Sequence, residues 1–224
     1  MKNKYIFKAH ISERKFREIL NCFCSDFNAT QTSKLTGVSR PTVNRLFGLF
    51  RKRIFKLTTQ SEKMNGTVEI DESYFGPRRI RGKRGRGAGD KIPVLGILKR
   101  KGQVYVSVVK NCSKKELVPI IKGQVLSETE VLTDGWKAYD GLITCGYKHH
   151  RIHHSKNEFA RGKNHVNGIE SFWSYAKRRM RKFNGIHKSK FLLHLKECEY
   201  RWNHRDTMYM NLLRALEKIL SKLI

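Results

Sequence analysis

The 224 residues carry 47 Lys and Arg against 19 Asp and Glu, a formal charge of +28; such an excess repels itself unless a polyanion screens it, so nucleic acid is the leading partner class. With 39% hydrophobic residues there is apolar material for a packed core, which excludes a disordered basic tail and leaves a basic ribosomal-type or membrane-surface protein as the competing class. No apolar run approaches the ~18 residues of a membrane span, and the basic start from Met1 to His10 has no apolar h-region or cleavage site, so a cytoplasmic protein is expected.

Residues 1–60 read as a small all-α domain. From Ser12 to Phe27, Phe16, Ile19, Leu20, Phe23 and Phe27 recur at helical spacing, with Ser12 as the cap. A short helix around Gln31 to Leu35 then meets Gly37, and Ser39 caps a second helix that tolerates Pro41 in its first turn. Helix, glycine turn and capped helix is the layout of a DNA-binding helix-turn-helix, or of a plain three-helix bundle. In the first case Arg40, Thr42, Asn44 and Arg45 open the recognition helix, where side chains reach base edges, and Val38, Val43 and Leu46 form its core. The basic run Arg51-Lys52-Arg53, with Lys56, suits phosphates. Polar turn formers from Thr58 to Gly66 mark a domain boundary. Cys22 and Cys24 stand two apart, on different sides of a helix, and none of the five cysteines forms a C-x-x-C, so no zinc site is expected.

Residues 61–224 read as an α/β domain. Thr67 to Phe75 is a strand interrupted by Asp71. The Gly/Arg run after it, carrying Arg81, Lys83, Arg84 and Arg86, is a flexible basic loop along phosphates or a solvated hairpin loop. It is not a Walker loop, because Arg84 stands where Ser or Thr would hold magnesium. Ile92 to Leu98 and Val104 to Val109 are strands turning at Lys101-Gly102, and Ser113 to Gly123 is a helix. Val131 to Thr133 is a short strand ending in Asp134-Gly135, a usual place for catalytic groups in open sheets or simply a turn. A short helix with Trp136 and Tyr139 follows, and the His-rich stretch His149 to His154 reads better as a basic surface strand than as metal ligands.

The stretch from His165 to Lys177, H-V-N-G-I-E-S-F-W-S-Y-A-K, organises the rest. Val166, Ile169, Phe172, Trp173 and Ala176 form its apolar stripe, and Glu170 and Lys177, seven apart, project from one side beside it. An ordinary amphipathic helix has the same pattern. After a break at Asn184-Gly185, helices from Phe191 to Trp202 and from about Asn211 to Leu223 are expected to cover the sheet. The order of strands and helices gives a layered domain in which Asp71, Asp134 and Glu170 could converge. Three carboxylates in so basic a chain point to a metal site acting on nucleic acid.

I-D-E-S-Y-F-G, the Gly/Arg run, T-D-G-W-K-A-Y and H-x-N-x-I-E-x-F-W-x-x-x-K together resemble the catalytic domain of the DDE transposases of bacterial insertion sequences. The resemblance runs from about Val68 to Arg205 and is closest to a compact branch. It implies a ribonuclease-H-like α/β domain, a mixed sheet flanked by helices, following the helix-turn-helix of residues 1–60. It implies that Asp71, Asp134 and Glu170 hold two Mg²⁺ ions, with Mn²⁺ as a substitute, and that Lys177 is the basic residue beyond the acid. Some sibling branches use Asn as the third group, which makes Asn167 the reserve or a group supporting the ligands. Many larger relatives bear an N-terminal cysteine zinc ribbon; here the helix-turn-helix would stand in for it. The implied partners are terminal-repeat and target DNA, with a homodimer joining two ends in the bacterial nucleoid. A DNA-binding regulator without catalysis, and a nuclease that cuts without joining, are the competing functions.

Overall fold

The computed structural model describes residues 3–5, 10–59, 62–76, 91–134, 136–152 and 166–220. They form two compact units, Met1–Gln60 with Met180–Ile224, and Ser61–Arg179.

The first unit is helical. Helix α1 (Glu13–Cys24) starts where the Ser12 hydroxyl accepts from the Lys15 N–H. Helix α2 (Ala29–Thr36) starts at a capping box in which Asn28 and Gln31 bond each other's backbone N–H groups. It ends at Gly37, whose left-handed φ of +69° suits glycine and turns the chain into α3 (Arg40–Thr58). Ser39 occupies the cap position of α3 without bonding its backbone; its hydroxyl instead donates to Thr42 Oγ1 at 3.0 Å. Phe27, expected on the α1 stripe, lies past the helix end and is 41% exposed.

Helices α6 (Lys188–Asn203) and α7 (Met208–Leu220) were expected to cover the sheet; they pack on the helical unit. Tyr200, Met208, Leu212 and Leu216 join Phe16, Phe23, Phe47 and Phe50 in one core. An amphipathic stripe shows that a face is buried, not against what. Arg201 reinforces the join, donating to the carbonyls of Phe23 and Cys24 at the C-terminal end of α1, where a cation meets the negative end of the helix dipole.

The second unit holds a five-stranded mixed sheet in the order β3-β2-β1-β4-β5. Strands β1 (Thr67–Phe75), β2 (Ile92–Lys99) and β3 (Val104–Val108) are antiparallel neighbours, while β4 (Glu130–Asp134) and β5 (Lys148–Ile152) run parallel to β1. The crossover from β3 to β4 is supplied by α4 (Lys114–Gln124), and the chain returns to the sheet as α5 (Asn167–Arg181). A mixed sheet flanked by helices is the α/β, ribonuclease-H-like class that the resemblance implies. Side chains alternate across β1. Val68 and Ile70 enter the core built with Leu117 and Ile121 of α4, and Glu69 and Asp71 point to the other face, towards α5.

Candidate active site

Two glycines let α5 lie close on the sheet. Gly96 of β2 pairs with Asp71 of β1, and a Cβ on it would stand 2.5 Å from Trp173 Cζ2 and 2.9 Å from Ile169 Cδ1. On the helix, a Cβ at Gly168 would stand 2.8 Å from Glu69 Oε2 and 3.0 Å from Leu98 Cδ2. Ile169, Phe172, Trp173 and Ala176 are buried on the helix stripe, and Trp173 meets Phe75 edge-on with ring centroids 6.0 Å apart.

Glu69 locks this contact. The residue is 1% exposed, and its carboxylate accepts from the Ile169 N–H at 2.9 Å and pairs with Arg100 Nε at 3.0 Å. One oxygen thus caps the first turn of α5 from a neighbouring strand, where a negative charge meets both free N–H groups and the positive end of the helix dipole. Glu170, one residue along, is fixed with that turn. Asn167 opens the same turn and is exposed.

Asp71, two residues beyond Glu69 on the same face, has no such cation: among the described residues it forms no ion pair. It accepts from the Trp173 indole N–H at 3.0 Å. Burial pushes its pKa up to about 6, with repulsion from Asp134 and Glu170 adding to the rise; the Glu72 backbone N–H and the Trp173 indole oppose it. Asp134 ends β4 and its Oδ1 accepts from the Trp136 N–H at 3.2 Å. Lys177 stands over the Phe75 ring, 5.8 Å from its centroid. Desolvation lowers its pKa, and Asp71 partly restores it.

The fold therefore brings Asp71, Asp134, Glu170 and Lys177 into one electrostatic neighbourhood. It does not close a cage: among the described residues no group of three or more His, Cys, Asp or Glu side chains stands close enough to hold a metal ion. The donor chemistry nonetheless suits a hard cation, since carboxylate oxygens are its usual ligands and a cation beside Asp71 would reverse its raised pKa.

Sequence reasoning missed two groups behind the acids. One is Glu69, legible only as a polar residue inside a strand. The other is the Tyr139–Glu72 pair, in which the fully buried phenol donates to Glu72 Oε1 at 2.8 Å. Burial, then the nearby carboxylates, raise the Tyr139 pKa well above its ordinary value. His149 shares a 2.8 Å hydrogen bond with Thr133 Oγ1 on the neighbouring strand. In the helical unit Arg40, Asn44 and Arg45 are exposed along the start of α3, while Thr42 is engaged with Ser39. Arg81, Lys83, Arg84 and Arg86 lie outside the described residues.

Residues 63–203 match the model of the ISXO2-like transposase domain. The chain belongs to that transposase family. A transposase-like protein of Haemophilus influenzae is 45% identical over 106 residues, covering 47% of this chain and 85% of that protein. A protein in the transposable element ISH50 of Halobacterium salinarum is 30% identical over 154 residues, 62% of this chain; the family member described here spans about half of it, 52%. Among solved structures, the Mos1 transposase paired-end complex with the left transposon end aligns over 97% of this chain and 80% of that one, at 11% identity and a TM-score of 0.37. The Mos1 strand transfer complex aligns over 97% and 79%, at 12% identity and a TM-score of 0.34. Among the described residues no helix is long and apolar enough to cross a membrane.

Proposed function

We propose that this transposase binds the ends of its element, hydrolyses DNA strands there and joins the freed 3′-hydroxyl to target DNA. The observation that carries this reading is Asp71: a half-buried carboxylate without an ion-pair partner among the described residues, in the field of Asp134 and Glu170, on a strand to which the Glu170 helix is tied. A purely structural acid in that position would be expected to have a cation, as Glu69 does.

Asp71, Asp134 and Glu170 are the groups that would hold magnesium, or manganese in its place, and bound metal supplies positive charge at the attacking and leaving oxygens of a phosphodiester. Trp173 and the Glu72 N–H fix the orientation of Asp71. Glu69 and Arg100 fix the turn that carries Glu170. Lys177, half desolvated on the Phe75 ring, suits a non-bridging phosphate oxygen as a point charge. Asn167 supports the first turn of α5 and is the reserve ligand. In the proposed division of labour, residues 1–60 hold DNA through the exposed start of α3, the Gly/Arg run follows phosphates, and two copies bring two ends together.

The test is a strand-transfer assay with a pre-cleaved element end, target duplex and Mg²⁺. Joined product is expected from the wild-type chain and none from Asp71→Asn, which should still bind DNA. Cleavage without joining would make the protein a nuclease, and near-normal product from Asp71→Asn would remove the carboxylates from the mechanism.

A further inference from the structure

An open cavity of about 740 Å³ lies within the helical unit. The starts of α2, α3 and α6 and the turn from Lys182 to His187 form its wall. Among the described residues, every ionisable side chain on that wall is Arg, Lys or His, and no carboxylate lines it.

Two of these cations build the wall. Arg51 pairs with buried Glu197 at 2.7 Å and lies over the Phe183 ring, and Lys182 pairs with Asp26. Arg40, Lys52 and Lys190 are different. All three are exposed, and none forms an ion pair with a described acid.

Their placement works against the helices that carry them. Arg40 is the first residue of α3, and Lys190 sits in the first turn of α6. A cation there meets the positive end of the dipole, which favours anions. None of the three helices starting at the cavity has an acid in its first turn, whereas α1, α4 and α5 each have one, Glu13, Glu116 and Glu170 (α7 has none). Three positive helix ends and three unmatched side chains leave a wall complementary to an anion.

We infer that this cavity seats the sugar–phosphate backbone of duplex DNA, with Lys190 and Lys52 as phosphate contacts, beside the bases that Asn44 and Arg45 face. The inference rests on the proposed DNA-binding role of the helical unit and extends it to α6, outside the helix-turn-helix. An unstacked base is the poorer occupant: Phe47 is 2% exposed, and Phe183 is covered by Arg51 and by the His194 ring. Neither of these phenylalanines offers an open face for stacking.

The experiment measures binding of the full chain to a mixed-sequence duplex of about 30 bp in EDTA, across a salt series. Each phosphate contact contributes about 0.9 to the slope of log affinity against log salt. Lys52→Gln/Lys190→Gln should lower the slope by about 2 and weaken binding roughly tenfold or more at moderate salt. Lys52→Arg/Lys190→Arg should restore both, and Lys115→Gln/Lys122→Gln, on the exposed side of α4, should leave the slope near wild type. An unmoved slope in the cavity variant, or an equal loss in the α4 control, overturns the inference while leaving the helical unit's DNA binding intact. Failure of the wild-type chain to bind overturns both readings.

Discussion

Glu197 in the helical unit is fully buried and Asp71 in the sheet unit half-buried, and the surroundings of the two carboxylates are opposite. Glu197 is fully buried and clamped, with Arg51 Nε at 2.7 Å on one oxygen and Arg201 Nε at 2.9 Å on the other. Asp71 has N–H donors and two acids nearby, and among the described residues it forms no ion pair, Lys177 acting on it only across space. A buried charge whose partners are supplied by its own fold serves architecture. One left in the field of like charges raises its own pKa and gains when something positive arrives. The comparison also holds within β1, where Glu69 and Asp71 share a face and only Glu69 has its arginine.

The largest expected effect is on the architectural side. Glu197→Ala leaves Arg51 and Arg201 without their shared counter-ion, and breaking such a buried arrangement costs about 3–5 kcal/mol. Urea unfolding should show that loss in the helical transition. A loss below about 1 kcal/mol would mean the clamp contributes little and the comparison fails at its first term.

The side proposed to be catalytic should respond with the opposite sign. The Asp71 pKa stands at about 6 against the ordinary 3.8, so the folded state holds this proton more tightly than the unfolded chain does. Stability is therefore lost as pH rises from about 4 to 6, and the full cost, about 3 kcal/mol, is present above 6. In EDTA, Asp71→Asn should remove that pH dependence and be the more stable protein at pH 7.5, even though the proposed function expects it to be inactive. Thermal melts across pH 4–8 check this; equal stability at pH 7.5 would show that Asp71 is not strained.

Gly96→Ala comes next. The added methyl would meet the rigid Trp173 ring at 2.5 Å, and overpacking of this kind costs about 1–3 kcal/mol. Because α5 must lift from β2, strand cleavage should fall more than stability does, since Glu170 moves with the helix. Parallel melting and cleavage assays distinguish this from simple destabilisation.

Much of this was legible in the chain. Thr67–Phe75 was expected as a strand and is one. The Val166 to Ala176 stripe specified the buried face of α5, because period and side-chain type determine which face an element buries. What was not legible depends on where elements land. Gly96 and Gly168 have ordinary backbone angles, so nothing local distinguishes them from other glycines; their role exists only where helix and sheet meet. Glu69 reads as a solvent-facing strand position until α5 supplies an N–H for it to cap. The C-terminal helices are legible as helices, yet which surface they cover is not: Tyr200, Met208, Leu212 and Leu216 join Phe16, Phe23 and Phe50 in the helical core.

The finest test of the comparison removes one donor from Asp71 without touching its charge. Trp173→Phe keeps a ring against Gly96 and Phe75 but deletes the indole N–H that reaches Asp71 at 3.0 Å. The Glu72 backbone N–H is then the donor left to oppose burial and the two neighbouring acids. Hydrogen bonds to a charged group contribute about 1.5–3 kcal/mol, part of which the smaller ring and entering water offset. The pKa of Asp71 should therefore rise above about 6, and a proton should compete more strongly with any cation near neutrality. The expected signature is a Mg²⁺ requirement that increases steeply as pH falls from 8 to 6.5 in Trp173→Phe, and only shallowly in the wild type. ¹³C-carboxyl titration of Asp71 would report the same change without any turnover. If both profiles coincide, the indole serves packing alone, and the orientation of Asp71 rests on its own strand.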